Sequence, residues 1–448
     1  MKSYYLAILL ITFLSNCTKS APKPPNVILI MADDMGKEAL SIYGNIINST
    51  PHFEQMASKG ITFNHAISQP LCTPSRVKIM TGKNNYRNYE YFGYLNSNQK
   101  TFGNLFKDRG YQTCIAGKWQ LNGLSYPDHI TDWDLSERVN NFGFDQYCLW
   151  QLTQPRSKGE RYADPLIEMN GQVVRPGKDT YGPDLFSNYI LDFITKNQNR
   201  PFFVYYPMVL VHDPFVPTPS SESWADTTLR YQNDPCYFEE MVTYTDHIVG
   251  KIRNHIDRLN LAEETLVIFT ADNGSHPSIY SLTGNGVIKG AKGNTIGAGI
   301  QVPLLVEWEG HLKPSTIYNG LISFADFYAT FADLLGVEIN EEIDGESFLG
   351  ALLNPESHKE RSPLFVHYDP RWGKNVNRHR NQFAQNTKYK LYRDGLFYDL
   401  AKDPLERYPL SSDSLNSNEM SAYGKLQQVL NDEMNNAQQS ENPFEPLE

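Results

Sequence analysis

The 448-residue sequence contains few cysteines, and its charge balance is acidic. Five cysteines are present, of which Cys17 and Cys72 lie in motifs described below, so at most one disulfide can form among Cys114, Cys148 and Cys236. A disulfide-dense scaffold is therefore excluded. The net charge of −11 argues against a broad nucleic-acid-binding surface. The sequence also shows no internal repeat and no low-complexity segment.

The composition is that of an ordinary globular protein. Hydrophobic residues make up 40% of the chain, charged residues 20% and aromatic residues 12%, which excludes a disordered protein. The length allows a large core and predicts two or three domains. An acidic chain can still bind a small anionic substrate, because a single pocket can be locally basic.

The N-terminus predicts export. A lysine precedes an apolar run at residues 4–14, which is too short to span a bilayer and fits the core of a signal peptide. The run ends in Leu-Ser-Asn-Cys, which resembles a bacterial lipoprotein cleavage site with Cys17 as the lipidated residue. We predict a signal peptide at residues 1–17, a linker at residues 18–25, and a protein in the periplasm or at the outer membrane that contacts the membrane only through this lipid. A plain secretory signal with a chance cysteine remains an alternative.

From residue 26 onward, short apolar runs alternate with longer segments of helical period. This pattern predicts an α/β fold with a large mixed, mostly parallel sheet sandwiched by helices. We place this main domain at residues 26–358 and a smaller C-terminal α+β subdomain with a short antiparallel sheet at residues 359–448. An Asp-Gly turn at residues 394–395 between two strand-like runs indicates a hairpin there, and residues 422–434 have helical character.

Four of the apolar runs end at polar residues that can carry chemistry. In chain order these residues are Asp33 and Asp34, Lys118, His212, and Asp272 and Asn273. Ligands of open α/β sheets bind outside the carboxyl ends of the strands, so we expect these side chains along one sheet edge. Taken singly, each has a structural explanation, such as a solvated turn or a surface lysine. Together they predict one binding site.

Residues 71–82 read LCTPSRVKIMTG and contain a C-x-P-x-R pattern formed by Cys72, Pro74 and Arg76. A buried structural cysteine is the alternative interpretation of such a pattern taken alone. The pattern, with the Thr-Gly-Lys that follows, resembles the maturation signature of the formylglycine-dependent sulfatases of the alkaline phosphatase superfamily. The polar strand ends also follow the order of that family, and the resemblance extends from Pro25 to about Glu406.

The resemblance implies that a dedicated maturation enzyme oxidises Cys72 to formylglycine. A serine would be sulfated once and would then hold a sulfate ester that is hard to cleave. A hydrated aldehyde offers two hydroxyls on one carbon. One attacks sulfur, and deprotonation of the other expels sulfate and regenerates the aldehyde.

The resemblance also implies a metal site. A divalent cation would be held by Asp33, Asp34, Asp272 and Asn273, with the modified Cys72 as a further ligand. A carboxylate-rich set of oxygen ligands suits Ca²⁺, with Mg²⁺ as the alternative, and does not suit zinc. The lack of further histidine ligands counts against a two-zinc phosphatase.

The remaining catalytic residues implied by the resemblance are mostly cationic. Arg76 would support the aldehyde hydrate, Lys118 would bind sulfate, and Lys292, in a glycine-rich loop, would be the second lysine. Metal and lysines would offset the charge that develops in the transition state. His212 or Lys292 would donate a proton to the leaving alkoxide, and Asp272 would accept one from the attacking hydroxyl.

Three positions depart from the family pattern. Gln120 stands where the family usually has a histidine, two residues after its first lysine. Gly297 and Gln301 stand where the lysine loop usually carries a glutamate and an arginine. We expect the loop changes to alter loop support and to leave the chemistry intact. An amide cannot titrate, so Gln120 indicates altered hydrogen bonding in the pocket or, alternatively, an impaired enzyme.

These features together predict an exported sulfatase that hydrolyses a sulfate ester of a carbohydrate. A phosphate or phosphonate hydrolase on the same fold and a non-catalytic glycan-binding lipoprotein remain alternatives. The sequence does not identify the sugar. Six basic or aromatic side chains are suited to binding an anionic sugar, and a position in solvated surface loops is the equally good alternative. These residues are His276, Arg371, Trp372, Arg378, His379 and Arg380.

Overall fold

The computed structural model describes residues 24–123, 132–150, 152–153, 159–177, 179–359, 361, 363–371 and 381–439. The strands in these residues are β1 (Asn26–Ala32), β2 (Ile61–Ile67), β3 (Gln112–Lys118), β4 (Gln146–Trp150), β5 (Ile167–Met169), β6 (Gln172–Val174), β7 (Phe202–Pro207), β8 (Thr265–Ala271), β9 (Tyr280–Thr283), β10 (Gly286–Lys289), β11 (Gln301–Val302), β12 (Leu304–Glu307), β13 (Thr316–Ser323), β14 (Leu364–Tyr368), β15 (Asn381–Gln385), β16 (Tyr389–Tyr392) and β17 (Phe397–Asp399). The α-helices are α1 (Pro51–Lys59), α2 (Cys72–Thr81), α3 (Asn85–Asn88), α4 (Phe102–Asp108), α5 (Arg138–Asn141), α6 (Gly182–Asn197), α7 (Phe238–Arg258), α8 (Gly297–Ile300), α9 (Asp326–Leu334), α10 (Leu349–Leu353) and α11 (Ser417–Gln439).

A block of parallel strands forms the centre of the main sheet. The strand order is β11-β2-β12-β8-β1-β7-β3-β4-β5-β6, and β13 pairs with β2. Strands β8, β1, β7, β3 and β4 run parallel to their neighbours within this block. Every residue of β1, β7 and β8 is buried, as expected for parallel strands that are covered on both faces. The continuous apolar runs of the sequence therefore become the central strands.

Antiparallel pairs occupy the outer parts of this sheet. Strand β12 runs antiparallel to β8 and β2, and β5 runs antiparallel to β4. Helices α4 and α6 contact β3, and α1 contacts β12. These elements confirm the predicted α/β class with a large mixed sheet and packed helices.

The C-terminal region adds a second, antiparallel sheet. Its strand order is β14-β15-β16-β17, and α11 packs on β14, β15 and β16. The predicted hairpin is confirmed by the antiparallel pairing of β16 with β17. Gly395 in its turn has a φ of 91°, a left-handed conformation that favours glycine. The boundary between residues 358 and 359 stays a prediction.

Among the described residues, no helix combines the length and apolar character that a membrane span requires. The predicted signal peptide, Cys17 and most of the predicted linker lie outside the described residues. The four cysteines that the structure describes, which carry free thiols, are Cys72, Cys114, Cys148 and Cys236.

Candidate active site

The polar strand ends meet at one edge of the main sheet. They come from the adjacent parallel strands β8, β1, β7 and β3, whose carboxyl ends lie side by side. All are buried except the partly exposed histidine. The residues are Asp272 and Asn273 after β8, Asp33 and Asp34 after β1, His212 in the segment after β7, and Lys118 at the end of β3.

Lys118 and Arg76 donate hydrogen bonds to two carboxylates of this cluster, those of Asp33 and Asp272. Lys118 Nζ donates to Asp33 Oδ2 at 2.7 Å and to Oδ1 at 2.9 Å. Arg76 donates to Asp272 Oδ2 from Nε at 3.2 Å and from Nη2 at 3.0 Å, and its Nη1 donates to the Lys118 carbonyl at 3.0 Å. Burial disfavours ionisation of Asp33, but the charges of Lys118 and Arg76 outweigh burial and hold its pKa below the usual range.

Lys292 and Asn273 donate hydrogen bonds to the third carboxylate of the cluster, that of Asp34. Lys292 Nζ donates to Asp34 Oδ2 at 2.5 Å, and Asn273 Nδ2 donates to Asp34 Oδ1 at 2.9 Å. Asp34 has a φ of 62°, a conformation that is costly for a non-glycine residue and recurs at active sites. Burial alone would lower the pKa of Lys292, but the charge of Asp34 raises it above the usual range. Lys292 is therefore a cation.

The hydrogen bonds of His212 define the role of its ring. Its Nδ1 lies 2.6 Å from the Asp213 carbonyl oxygen and 3.1 Å from Asp213 Oδ1. Both partners are acceptors, which assigns the ring proton to Nδ1 and leaves the Nε2 lone pair facing Lys292 Nζ at 3.1 Å. Burial lowers the pKa of His212 and favours the neutral ring.

Cys72 is the first residue of α2 and is 3% exposed. The backbone N–H groups and the dipole at a helix N-terminus favour negative charge at such a position. The Cys72 sulfur lies 3.9 Å from Gln120 Oε1, and Gln120 has a φ of 54°. Burial raises the pKa of the Cys72 thiol and outweighs the opposing charge of Lys118. The structure thus brings Gln120 next to the predicted nucleophile.

The carboxylates fit a divalent cation. Asp33, Asp34 and His212 each offer one ligand atom, and these atoms lie within 4.8 Å of one another. Burial, followed by the charge of Asp33, raises the pKa of Asp272 to about 7. Asn273 Oδ1 is buried and has no hydrogen-bond partner among the described residues, as expected of an atom that would ligate a metal. Oxygen donors of this kind suit Ca²⁺ or Mg²⁺.

The structure describes two of the six predicted substrate-binding residues. His276 is partly exposed, and its ring packs against Phe215 with a centroid separation of 5.9 Å. Arg371 has a φ of 48°, and its Nε lies 3.4 Å from Asp369 Oδ2. Their role as substrate ligands stays a prediction. The other four lie outside the described residues and are Trp372, Arg378, His379 and Arg380.

Tyr368 is a residue near Cys72 that the sequence patterns did not indicate. It ends β14, is fully buried, and packs in the same apolar cluster as Cys72. Its hydroxyl has no hydrogen-bond partner among the described residues. The strand-end rule that found Asp33 does not apply to Tyr368, because β14 belongs to the antiparallel sheet. Nothing local in the sequence shows that the second sheet packs against the start of α2.

Comparisons with known proteins place these observations in a family. Residues 25–337 match the model of the family described as Sulfatase, and residues 295–440 match the model described as N-sulphoglucosamine sulphohydrolase, C-terminal. Arylsulfatase A of Homo sapiens is 31% identical over 448 residues, covering 87% of this chain and 83% of that protein.

Two solved structures share the fold. Ps i-CgsB in complex with k-i-k-neocarrahexaose is 23% identical with a TM-score of 0.76, covering 94% of this chain and 95% of that one. BT4656 in complex with its substrate D-glucosamine-2-N,6-O-disulfate is 21% identical with a TM-score of 0.73, covering 94% and 99%. At these identities the likeness establishes the fold.

Proposed function

This chain belongs to the sulfatase family and is a sulfuric ester hydrolase, and we propose that its substrate is a sulfate ester on a carbohydrate. One observation carries the proposal. Cys72, at the start of α2, lies beside Gln120 and within the field of Lys118 and Lys292, so a nucleophile at this position faces cations suited to sulfate oxygens.

We infer that a separate maturation enzyme oxidises Cys72 to formylglycine. The hydrated aldehyde would supply a nucleophile with two hydroxyls on one carbon. The N-terminus of α2 favours negative charge at this position, and the Gln120 amide is placed to exchange a hydrogen bond with it. Arg76 acts through Asp272 and the Lys118 carbonyl, and so holds the strand end that carries the first lysine.

A divalent cation, most simply Ca²⁺, would be held by Asp33, Asp34, Asp272 and Asn273 and would supply positive charge for the sulfate oxygens. Asn273 serves this set in two ways. Its Nδ2 orients the Asp34 carboxylate, and its Oδ1 is left as a buried acceptor. Lys118 and Lys292 contact the carboxylates from opposite sides and add the charge that favours the transition state.

Lys292 and His212 supply the proton that the leaving alcohol requires. An alkoxide is a poor leaving group unless it is protonated as the bond to sulfur breaks. Lys292 is a cation whose Nζ lies 3.1 Å from His212 Nε2, so the two groups can share a proton. His212 Nδ1–H, held by Asp213, keeps the ring in the orientation that this sharing requires.

Two considerations support a glycan substrate at the cell envelope. BT4656 and Ps i-CgsB, which share the fold, are known as complexes with a disulfated glucosamine and with a neocarrahexaose. The tetrapeptide that ends at Cys17 resembles a lipoprotein cleavage site. We therefore propose a lipid-anchored enzyme of the periplasm or outer membrane that receives sulfated oligosaccharides.

Mass spectrometry of the tryptic peptide that ends at Arg76 tests the nucleophile directly. The protein is produced in a host that contains a formylglycine-generating enzyme, and sulfate release from sulfated oligosaccharides is measured on the same sample. We expect an aldehyde at Cys72 and multiple turnovers by the wild type. Cys72→Ser should bind substrate without turnover, because serine lacks the second hydroxyl that releases sulfate.

Cys236→Ser is the matched control, because Cys236 is an exposed free thiol outside the cluster. It should retain wild-type turnover. Sustained turnover by Cys72→Ser, or an active wild type with an unmodified thiol, would show that the aldehyde mechanism is wrong.

A further inference from the structure

The loop that carries Lys292 is rich in glycine and ends in the short helix α8. Glycine is the most flexible residue, and ordering it costs more conformational entropy than ordering any other. Lys292 Nζ is nevertheless placed 2.5 Å from Asp34 Oδ2 and 3.1 Å from His212 Nε2. Such placement needs support from outside the loop. Residues 290–300 include the glycines Gly290, Gly293, Gly297 and Gly299.

The first half of the loop is held by the main domain. The Lys292 N–H donates to the Ser275 carbonyl at 3.0 Å, and the Gly293 N–H donates to the Pro70 carbonyl at 2.8 Å. Ser275 lies two residues after Asn273. These bonds tie the start of the loop to segments that carry the metal ligands and Cys72.

The second half of the loop is held by the C-terminal region. Glu406 Oε1 accepts from the Gly297 N–H at 2.9 Å and from Lys390 Nζ at 3.0 Å. Lys390 Nζ also donates to the Thr295 carbonyl at 2.5 Å. A carboxylate therefore binds one backbone donor of the loop, and an ammonium binds one backbone acceptor two residues earlier.

The Glu406–Lys390 pair is completely enclosed. The side chains are 2% and 0% exposed, and the Tyr392 hydroxyl donates to Glu406 Oε2 at 2.6 Å. Removing both charges from water costs free energy that their attraction only partly returns, so such a pair adds little to net stability. Glu406 also has a φ of 55°, an unfavourable conformation for a glutamate. Stability alone does not account for this arrangement.

The chain just before Glu406 also packs closely on the loop at Gly297. A Cβ at Gly297 would lie 3.2 Å from the Pro404 carbonyl, because the segment leading to Glu406 packs against the loop here. A side chain at position 297 would therefore require the backbone at Pro404 to shift by a few tenths of an ångström. The carboxylate that supports the loop comes instead from Glu406.

We propose that Glu406 and Lys390 are positioning residues for Lys292, so that the C-terminal subdomain sets the geometry of the catalytic lysine. The proposal rests on the proposed function for the role of Lys292 in the reaction. It goes beyond that function by assigning control of the loop to a buried ion pair of another subdomain. Neither residue needs to touch the substrate.

Kinetics with 4-nitrophenyl sulfate and hydrogen exchange of the loop test the proposal in parallel. Glu406→Gln keeps the shape and an acceptor for Gly297 but removes the charge. We expect kcat to fall by about tenfold or more with KM changed by less than about threefold, since small displacements of a catalytic group carry rate penalties of this size. Peptides covering residues 290–300 should exchange faster than in the wild type.

Glu307→Gln is the matched control. Glu307, on strand β12, forms a largely buried pair with Arg253, with contacts of 2.6 and 3.0 Å and side chains that are 11% and 7% exposed. The Glu307→Gln variant should lower the thermal midpoint as Glu406→Gln does, but it should keep the wild-type kcat and the wild-type exchange of residues 290–300. The double variant Lys390→Met, Glu406→Leu replaces the charges by apolar groups. It leaves the Gly297 N–H, the Thr295 carbonyl and the Tyr392 hydroxyl without these partners, so we expect it to lower the thermal midpoint as well as kcat and to speed the exchange of residues 290–300.

Unchanged loop exchange in Glu406→Gln, or the same kcat loss in Glu307→Gln, overturns the proposal. A wild type that does not cleave any sulfate ester refutes the proposed function instead. In that case the exchange of residues 290–300 decides the positioning role by itself, because it does not depend on turnover.

Discussion

Gln120 places an amide, which cannot titrate near neutral pH, 3.9 Å from the sulfur of Cys72. In the proposed mechanism another group would therefore take the proton during sulfate elimination, and His212 is the candidate that the cluster offers. We expect Gln120→Ala to lower kcat/KM. The loss should correspond to about 1–3 kcal/mol of transition-state stabilisation, which is the usual cost of leaving a buried polar partner without its hydrogen bond. Steady-state kinetics measures this loss.

A matched control lies on β3, the strand that precedes Gln120. Gln112 begins β3, at the opposite end from Lys118, so Gln112→Ala should leave kcat/KM unchanged. Rapid mixing of the wild type should also show a burst of alcohol ahead of free sulfate if elimination is slow. An unchanged Gln120→Ala enzyme without a burst would place Gln120 outside the reacting groups.

Helix α2 carries Cys72 at its N-terminus. The contacts at the C-terminus of α2 fix the position of the helix. Gly82 ends the helix with a φ of 71°, and a Cβ there would lie 2.8 Å from Tyr328 Cβ. Gly82→Ala therefore combines a left-handed conformation, costing about 1–2 kcal/mol, with overpacking of about 1–3 kcal/mol. We expect a matching loss in the free energy of unfolding and a lower kcat, because the helix must shift. Chemical denaturation measures the first effect.

Gly110→Ala is the control that separates the conformational cost from the overpacking cost. It follows α4 with a φ of 79°, and no atom lies within 4 Å of a Cβ built there. Gly110→Ala should show only the conformational cost and should keep full activity. Equal losses of stability in the two variants would mean that the Tyr328 contact does not hold α2.

For the whole molecule, we expect the cation to link activity to stability. Asp33, Asp34 and Asp272 are buried together, and a bound divalent cation would offset their mutual repulsion. Chelation and dialysis should abolish turnover and lower the thermal midpoint, and Ca²⁺ should restore both. At a hundredfold excess over its Kd, the ion should add about 2.7 kcal/mol to the free energy of unfolding.

Differential scanning calorimetry with and without Ca²⁺ measures this stabilisation. Asp34→Asn is the control, since it keeps the shape of a ligand and loses its charge, and so should lose the calcium-dependent increase. Full activity in verified metal-free wild type would contradict the metal assignment.

The sequence by itself determined the fold class, the family and the edge of the sheet where the site lies. These follow from local signals: buried strands require apolar runs, the chain leaves each parallel strand at the same edge, and the Cys72 motif is contiguous. The six polar residues after these strands are close together in the structure for that reason. The hairpin around Gly395 was predictable in the same way, because its turn is encoded by adjacent residues.

The tertiary structure alone decided which partners these residues have. Gly297 and Glu406 are separated by 109 residues, and no local pattern indicates that the carboxylate of one meets the amide of the other. The same holds for Tyr368, which reaches Cys72 because two sheets pack together. Local periodicity specifies an element and the face it buries. The contacts between elements depend on packing across the whole chain, where small side-chain volumes and single hydrogen bonds select one arrangement.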